Sequence, residues 1–178
     1  MVPDRFVRFW DNAARSWEGV RWTLLTDFSL SKIGVEPDPV LRGLFRHYLE
    51  DMAEWFAVDP KADASYAVLE QGYDAYLAKV GDSIGGFALI GSADGLHDVH
   101  EFFVLRGFRR RGVGHRMATA LWEERRGGWL VRVLAANSPA VLFWRTAIAS
   151  YSRGSYEEEG RMVNGRLWRF FRFVSEGR

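Results

Sequence analysis

The sequence predicts an α+β (mixed α/β) protein built on one mixed, mostly antiparallel sheet of six to seven strands flanked by helices. The chain has 178 residues, 48% of them hydrophobic, which suits one sizeable core better than two. Its second half alternates extended and helical patterns. The pair Asn164-Gly165 between two extended runs is a strong hairpin signal. We therefore expect a single domain over 1–178, with an extra amino-terminal helix over 1–19 and a core over 20–178.

Periodicity and capping residues predict the elements of the first half. Phe6, Trp10, Ala13 and Trp17 recur at intervals of three and four residues, which indicates one apolar stripe on a helix. Pro39 suits the first position of a second helix, where no backbone N–H is needed. The first half is thus predicted to contain a helix over 1–19, a strand over 20–25, a helix from Pro39 capped by Asp38, an unassigned stretch over 57–73, and a hairpin of strands 76–80 and 84–90 around Gly81-Asp82.

In the second half, helical and extended runs follow one another closely. Val113, Met117 and Leu121 lie on one face of a helical pattern, and Gly127-Gly128 is expected to end it. Ser138-Pro139 marks the start of a further helix. The predicted elements are a turn over 91–95, a strand over 98–105, a helix over 112–125, a strand over 129–134 buried on both faces, a helix from 138 to about 148, and the carboxy-terminal hairpin.

Composition limits the classes of function. Lys and Arg number 24 against 23 Asp and Glu, so a net charge of +1 gives no argument for a nucleic-acid or membrane partner. The absence of cysteine excludes disulfides, thiolate metal sites and acyl transfer through a cysteine nucleophile. Apolar stretches are too short to span a bilayer, and the amino terminus does not resemble a signal peptide. We expect a cytoplasmic protein without nucleic-acid or membrane partners.

A basic, glycine-containing turn joins a predicted strand to a predicted helix. Five of the eleven residues from Arg106 to Arg116 are arginine. A helix start offers unpaired N–H donors and a partial positive charge, so it attracts anions. Gly112 and Gly114 have no side chains, which would let an anionic ligand approach this backbone. The turn is therefore predicted to hold a phosphate-bearing ligand.

Two common phosphate motifs do not fit this turn. A P-loop would need Lys and Ser or Thr where Val113-Gly114 stands. A dinucleotide fingerprint would need a third glycine at the position of Met117. Nucleoside triphosphates and dinucleotides are thus disfavoured as ligands.

Three motifs, taken together, resemble the GCN5-related N-acetyltransferase (GNAT) superfamily. Arg109 to Gly114 fits that family's pyrophosphate loop, which reads Arg or Gln, two residues, Gly, one residue, Gly or Ala. Glu101 to Val104 is similar to its fourth strand, and Asn137 to Trp144 to its later Asn-x-x-Ala-x-x-Phe-Tyr helix. The resemblance covers about residues 98–149; upstream it is only architectural.

This resemblance implies a co-substrate, acetyl-CoA, and a sheet split between strands 4 and 5 that admits its pantetheine arm. Backbone groups of the fourth strand would pair with that arm, amides of the turn would hold the pyrophosphate, and the later helix would line the far side. No metal is expected. The residues implied to bind acetyl-CoA are Phe102, Phe103, Val104, Arg109, Arg110, Arg111, Gly112, Val113, Gly114, His115, Asn137, Ala140, Phe143 and Trp144.

Transfer to an amine calls for a general base, because an alkylammonium with a pKa near 10 holds its proton at neutral pH. The resemblance points first to Glu101 and His100, where spermidine-type members carry acidic residues, and then to Asp98, the place used by histone-type members. Strand alternation sends Asp98 and His100 to one face and Glu101 to the other unless a bulge intervenes. His97 and His100 would face opposite sides, so we reject a metal site built on them.

The resemblance also implies a backbone N–H near Val104 that stabilises the carbonyl oxygen, and a tyrosine acid. Trp144 takes that tyrosine's position, and its indole N–H is far too weak an acid, so water or Tyr151 would have to serve. The expected function is acetyl transfer from acetyl-CoA to a primary amine of a small molecule, without a covalent enzyme intermediate. The alternatives are a non-catalytic acyl-CoA-binding or regulatory module and, last, a nucleic-acid-binding surface. A homodimer is left open.

Overall fold

The structure is a computed structural model that describes residues 27–34, 39–55 and 72–177. The predicted helix over 1–19, the predicted strand over 20–25 and most of the unassigned stretch lie outside the described residues. No helix in the described ranges is both long enough and apolar enough to cross a bilayer.

The described residues form one seven-stranded sheet with helices on its two faces. The strand order is β1-β2-β3-β4-β5-β7-β6, and every neighbouring pair is antiparallel except β4 and β5. The elements are β1 (Phe28–Ile33), α1 (Pro39–Met52), β2 (Asp74–Val80), β3 (Ser83–Ala93), β4 (Leu96–Val104), a short 3₁₀ helix (Arg106–Phe108), α2 (Val113–Glu124), β5 (Gly127–Leu134), α3 (Ser138–Tyr151), β6 (Tyr156–Val163) and β7 (Arg166–Ser175). The predicted α+β class and the mixed, mostly antiparallel sheet are confirmed.

The sheet is split between β4 and β5. These parallel strands pair at only three positions near their starts, the last of them Val99 with Val131. Beyond that pair the two strands are not hydrogen-bonded, so a gap opens toward their carboxyl ends. The predicted split between strands 4 and 5 is confirmed.

Each face of the sheet packs against its own set of helices. On one face α2 and α3 bury Met117, Trp122 and Ile148 against the sheet. On the other face α1 packs Leu44 and Phe45 against residues of β2, β3 and β4. Full burial of one large apolar side chain contributes about 1.5–3 kcal/mol, so these two layers fix the helices relative to the gap.

Several elements differ from the sequence prediction. The strand β1 was not predicted, because Ser29, Ser31 and Lys32 give it a polar pattern; it forms by pairing with β2. Helix α2 ends at Glu124, and Gly127-Gly128 begins β5 rather than ending the helix.

The carboxy-terminal hairpin is confirmed. Its turn has Asn164 at φ 50° and Gly165 at φ 74°, and Val163 pairs with Arg166 across it. Positive φ at both central residues is the turn that matches the twist of a two-residue hairpin, which is why Asn-Gly predicts it so well.

Candidate active site

A cleft of about 460 Å³ occupies the gap between β4 and β5. Because the strands separate there, helices on both faces of the sheet contribute to its walls. The lining includes Phe45, Tyr48, Leu49 and Met52 of α1; Val99, His100, Glu101 and Phe102 of β4; Val131, Arg132, Val133 and Leu134 of β5; Asn137, Ala140 and Trp144 at α3; and Trp168 of β7. The cleft therefore brings predicted catalytic and predicted cofactor-binding residues together.

A β-bulge at His100 of β4 changes the alternation expected for the predicted bases. Glu101 pairs with Leu89 and Val99 with Ile90, which leaves His100 without a partner on β3. The extra residue interrupts the alternation of side chains. His100 stacks on Tyr73 with ring centroids 4.2 Å apart, and Glu101 turns toward α1. The bulge that the strand prediction allowed for is present.

Glu101 is partly buried and accepts a hydrogen bond from the hydroxyl of Tyr48, on α1. Burial raises the pKa of its carboxyl to about 7; the hydrogen bond from Tyr48 and the charge of Arg132 lower it, and Asp98 raises it. Burial also lowers the pKa of His100, which favours its neutral imidazole. A carboxyl that is half ionised near neutral pH can accept a proton there.

Asp98 is only 3% exposed and forms a two-point ion pair with Arg132 of β5. Nε and Nη2 of the arginine donate to its two carboxylate oxygens over 3.1 and 2.5 Å. Both oxygens are thus engaged by the guanidinium, and the pair bridges the strands where the gap begins. Of the three predicted bases, Glu101 is the best placed to take a proton in the cleft.

The start of α2 has the features expected of an anion site. Gly112 is its N-cap in the left-handed region at φ 80°, and no side chain among the described residues caps the helix. Helix geometry leaves the first amides, including those of Val113 and Gly114, without intrahelical partners. A side chain at Gly112 would meet open space, so backbone conformation alone favours glycine there.

Gly114 lies where α2 packs most closely on its neighbours. A Cβ on it would lie 3.2 Å from Cε2 of Phe143 and 3.4 Å from Cγ2 of Val104. The absence of a side chain at Gly114 therefore permits α2 to pack closely on α3 and β4.

Four of the five arginines of the turn divide into two groups, while Arg116 lies over the ring of Phe28 of β1. Arg106 and Arg109 both bind Asp51 of α1, the former through Nε at 2.8 Å, and Arg109 also donates to the carbonyl of Val104 at 2.8 Å. Arg110 and Arg111 are exposed, as is His115 nearby. The first group fastens the turn to α1, and the second leaves positive charge at the surface beside the start of α2.

The predicted residues of α3 lie at the cleft or directly behind it. The Asn137 side chain accepts from the amide of Ala140 at 3.2 Å and so caps the helix. Trp144 and Phe143 pack on Phe102 with ring centroids 4.8 and 5.8 Å away. The side chain of Phe103 instead packs against α1, and those of Val104 and Val113 lie against the core under α2 and α3.

Sequence reasoning missed the contribution of α1. In the sequence Tyr48 has the spacing of an apolar helix stripe with Leu44 and Met52, and no motif contains Asp51. In the structure these residues, one helical turn apart, contact Glu101 and the basic turn respectively. No pattern within α1 identifies partners that lie about fifty residues away in the chain.

Residues 41–147 match the model of the acetyltransferase (GNAT) family, which is more than half of the chain. No curated protein matches the sequence. Solved structures share the fold: a GNAT-family protein from Desulfovibrio desulfuricans aligns with a TM-score of 0.61 and 15% identity over 83% of this chain and 99% of that one.

Two further structures give comparable agreement. The ribosomal-protein-S18-alanine N-acetyltransferase of Escherichia coli has a TM-score of 0.57 and 17% identity over 83% of this chain and 94% of its own. A GNAT family acetyltransferase from Elizabethkingia anophelis, solved with acetyl-CoA bound, has a TM-score of 0.59 and 11% identity over 83% and 98%. By its family match and its split sheet, this chain belongs to the GNAT acetyltransferase family.

Proposed function

We propose that the protein is an acetyl-CoA-dependent N-acetyltransferase that acts on the primary amine of a small molecule by direct attack. The observation that carries the proposal is the carboxyl of Glu101, with a pKa raised to about 7, in the wall of a cleft at the split of the sheet. The acetyl-CoA bound to the Elizabethkingia structure supports the choice of co-substrate.

The residues present fit acetyl-CoA. Amides at the uncapped start of α2 and the exposed Arg110 and Arg111 suit its pyrophosphate. The N–H of Leu105 donates to Gly85 of β3, so strand geometry turns the N–H of Val104 to the opposite side, toward the gap. That amide is our candidate donor to the carbonyl oxygen as negative charge grows on it. Bound acetyl-CoA would supply the thioester that the amine attacks.

Glu101 would remove the proton from the amine. An alkylammonium pKa near 10 lies about three units above that of Glu101, a mismatch of about 4 kcal/mol. When the ammonium enters the largely apolar cleft, desolvation lowers its pKa and so reduces this mismatch. Tyr48 holds Oε2 of the carboxylate and leaves Oε1 for the amine.

The proton for the departing thiolate needs a different source from Tyr151. Its hydroxyl bonds Oγ of Ser175 at 2.8 Å and lies at a second groove, which contains none of the predicted catalytic or cofactor-binding residues. Water is the remaining candidate. A thiol pKa of about 8.5 makes the thiolate a fair leaving group without strong acid catalysis.

Trp144→Tyr is expected to keep or increase kcat, because it places a phenol at the position where the family's acid stands. Trp144 packs on Phe102 and Phe143, so a small loss of thermal stability is expected as well. Steady-state kinetics with acetyl-CoA and a matched melting curve measure both effects. A large fall in kcat without unfolding would give Trp144 a role of its own in the reaction.

Tyr48→Phe is expected to move the acidic limb of the pH–rate profile upward by on the order of one pH unit. The hydrogen bond from Tyr48 lowers the pKa of Glu101, so its loss leaves the carboxyl protonated at higher pH. Tyr73→Phe is the matched control, since the Tyr73 ring stacks on His100 and does not contact this carboxyl through its hydroxyl in the structure. An unchanged limb in Tyr48→Phe would show that another group titrates.

The function is tested by measuring thermal stabilisation by CoA together with thiol release from acetyl-CoA over a panel of amines. Stabilisation with amine-dependent thiol release supports the enzyme. Stabilisation without turnover over a broad panel would favour the non-catalytic acyl-CoA-binding module. Absence of stabilisation at millimolar CoA would overturn both, and salt-sensitive oligonucleotide binding would then favour the basic turn as a nucleic-acid surface.

A further inference from the structure

The half of the cleft on the α1 face has a wall of large apolar side chains. Leu134 points away from Val133, which packs under α2 and α3, because neighbouring strand residues alternate. Trp168 stands directly opposite Leu134 on β7, so its side chain lies on the same face. Leu49 and Met52, one turn apart on α1, complete the wall.

Most polar groups of the cleft are already bonded within the protein, including Arg132, which lies two residues before Leu134 on the same face of β5. Glu101 accepts from Tyr48, and Asn137 caps α3. Arg132 is paired at two points with Asp98, so together they carry no net charge. Among the described lining residues, Glu101 is the only carboxylate. If the amine that accepts the acetyl group carried a second charge, that charge would lose its hydration in the cleft without gaining a partner, which costs free energy.

We propose that the acceptor is a hydrophobic monoamine, a primary amine with an alkyl or aryl substituent and no second charged group. Its nitrogen would lie at Glu101, and its substituent would pack on Leu49, Met52, Leu134 and Trp168. This inference rests on the proposed function and adds the class of its acceptor. Each methylene buried against the wall is expected to raise kcat/KM about fourfold until the wall is covered.

The test compares three amines of one chain length that differ only at the far end. Hexylamine ends in a methyl group, 1,6-diaminohexane in a second ammonium and 6-aminohexanoate in a carboxylate. With saturating acetyl-CoA, kcat/KM for hexylamine is expected to exceed that of either charged analogue by roughly tenfold or more. The series ethylamine, butylamine, hexylamine is expected to rise with length. Equal or better turnover of the diamine or the amino acid would overturn the inference.

A variant tests the wall itself. Met52→Glu places a carboxylate in the wall, so kcat/KM is expected to fall for hexylamine and rise for 1,6-diaminohexane, inverting their ratio. Leu142→Glu is the matched control, because Leu142 is 63% exposed on α3 and does not line the cleft. If Met52→Glu lowered kcat/KM for both amines by the same factor, their ratio would be unchanged. That result would contradict the role of Met52 in binding the substituent.

The outcomes separate this inference from the proposed function. Thiol release with some amine, but without preference for the uncharged chain end, overturns the acceptor class and leaves the acetyltransferase standing. Stabilisation by CoA without turnover of any amine overturns both.

Discussion

Glu101→Gln is expected to lower kcat/KM for amine acetylation by roughly 10²- to 10⁴-fold, the usual contribution of a general base. The amide is close to the carboxyl in size and can still accept a hydrogen bond from Tyr48, but it cannot take a proton from the ammonium. Affinity for CoA is expected to stay within about twofold, since Glu101 lies apart from the basic turn that fits the pyrophosphate. Calorimetry of CoA binding and steady-state kinetics on the same preparation separate these effects.

The pH dependence gives this prediction its control. Wild-type kcat/KM is expected to rise with pH and level off above about pH 7, the pKa to which burial raises Glu101. The variant is expected to lose that limb. Glu50→Gln is the matched control, because Glu50 is exposed on α1 and pairs only with His47 among the described residues. Near-normal rates in Glu101→Gln would instead indicate that His100 is the general base.

The same variant is expected to be more stable than the wild type at alkaline pH. A carboxyl whose folded pKa is raised disfavours folding as it ionises, so its penalty grows from about pH 4.5 to about pH 7 and persists above. The shift corresponds to roughly 3 kcal/mol. The melting temperatures of the wild type and of Glu101→Gln should therefore agree near pH 4. Above pH 7 the variant should have the higher melting temperature. This would be a functional group held at a cost to stability.

The elements that local chemistry determines were predictable from the sequence. Pro39 begins α1, Asn164-Gly165 turns the last hairpin, and Gly112 starts α2, each because one residue type suits a particular backbone conformation. The split of the sheet followed from the family resemblance. These predictions depend on neighbours in the chain or on a motif, and both are visible in one sequence.

What the sequence could not show depends on partners distant in the chain. The bulge at His100 is a register shift between β3 and β4, which no residue type in either strand announces. The close packing of Gly114 against Phe143 on another helix is not visible from its place in the motif. Tyr48 looks like a core residue until the fold places Glu101 against it. The geometry of the candidate site is thus a product of strand register and helix packing.

Arg132→Met is expected to lower the free energy of unfolding by about 2–4 kcal/mol at pH 7. The change leaves the carboxylate of Asp98, 3% exposed, without its partner. Breaking a buried pair typically costs about 3–5 kcal/mol, and the 38% exposure of the Arg132 side chain reduces that figure. Urea unfolding at constant pH measures the loss.

The double variant Asp98→Asn/Arg132→Met distinguishes a lost pair from lost packing. With the charge removed, at least half of the lost stability should return, because the penalty comes from the stranded carboxylate rather than from the missing arginine. The activity profile should follow the same pattern. Arg132 lowers the pKa of Glu101 and Asp98 raises it, so the single variant moves the acidic limb above pH 7 and the double variant brings it back. If the double variant were as unstable as the single one, Arg132 would act through its contacts in the cleft and not through its charge.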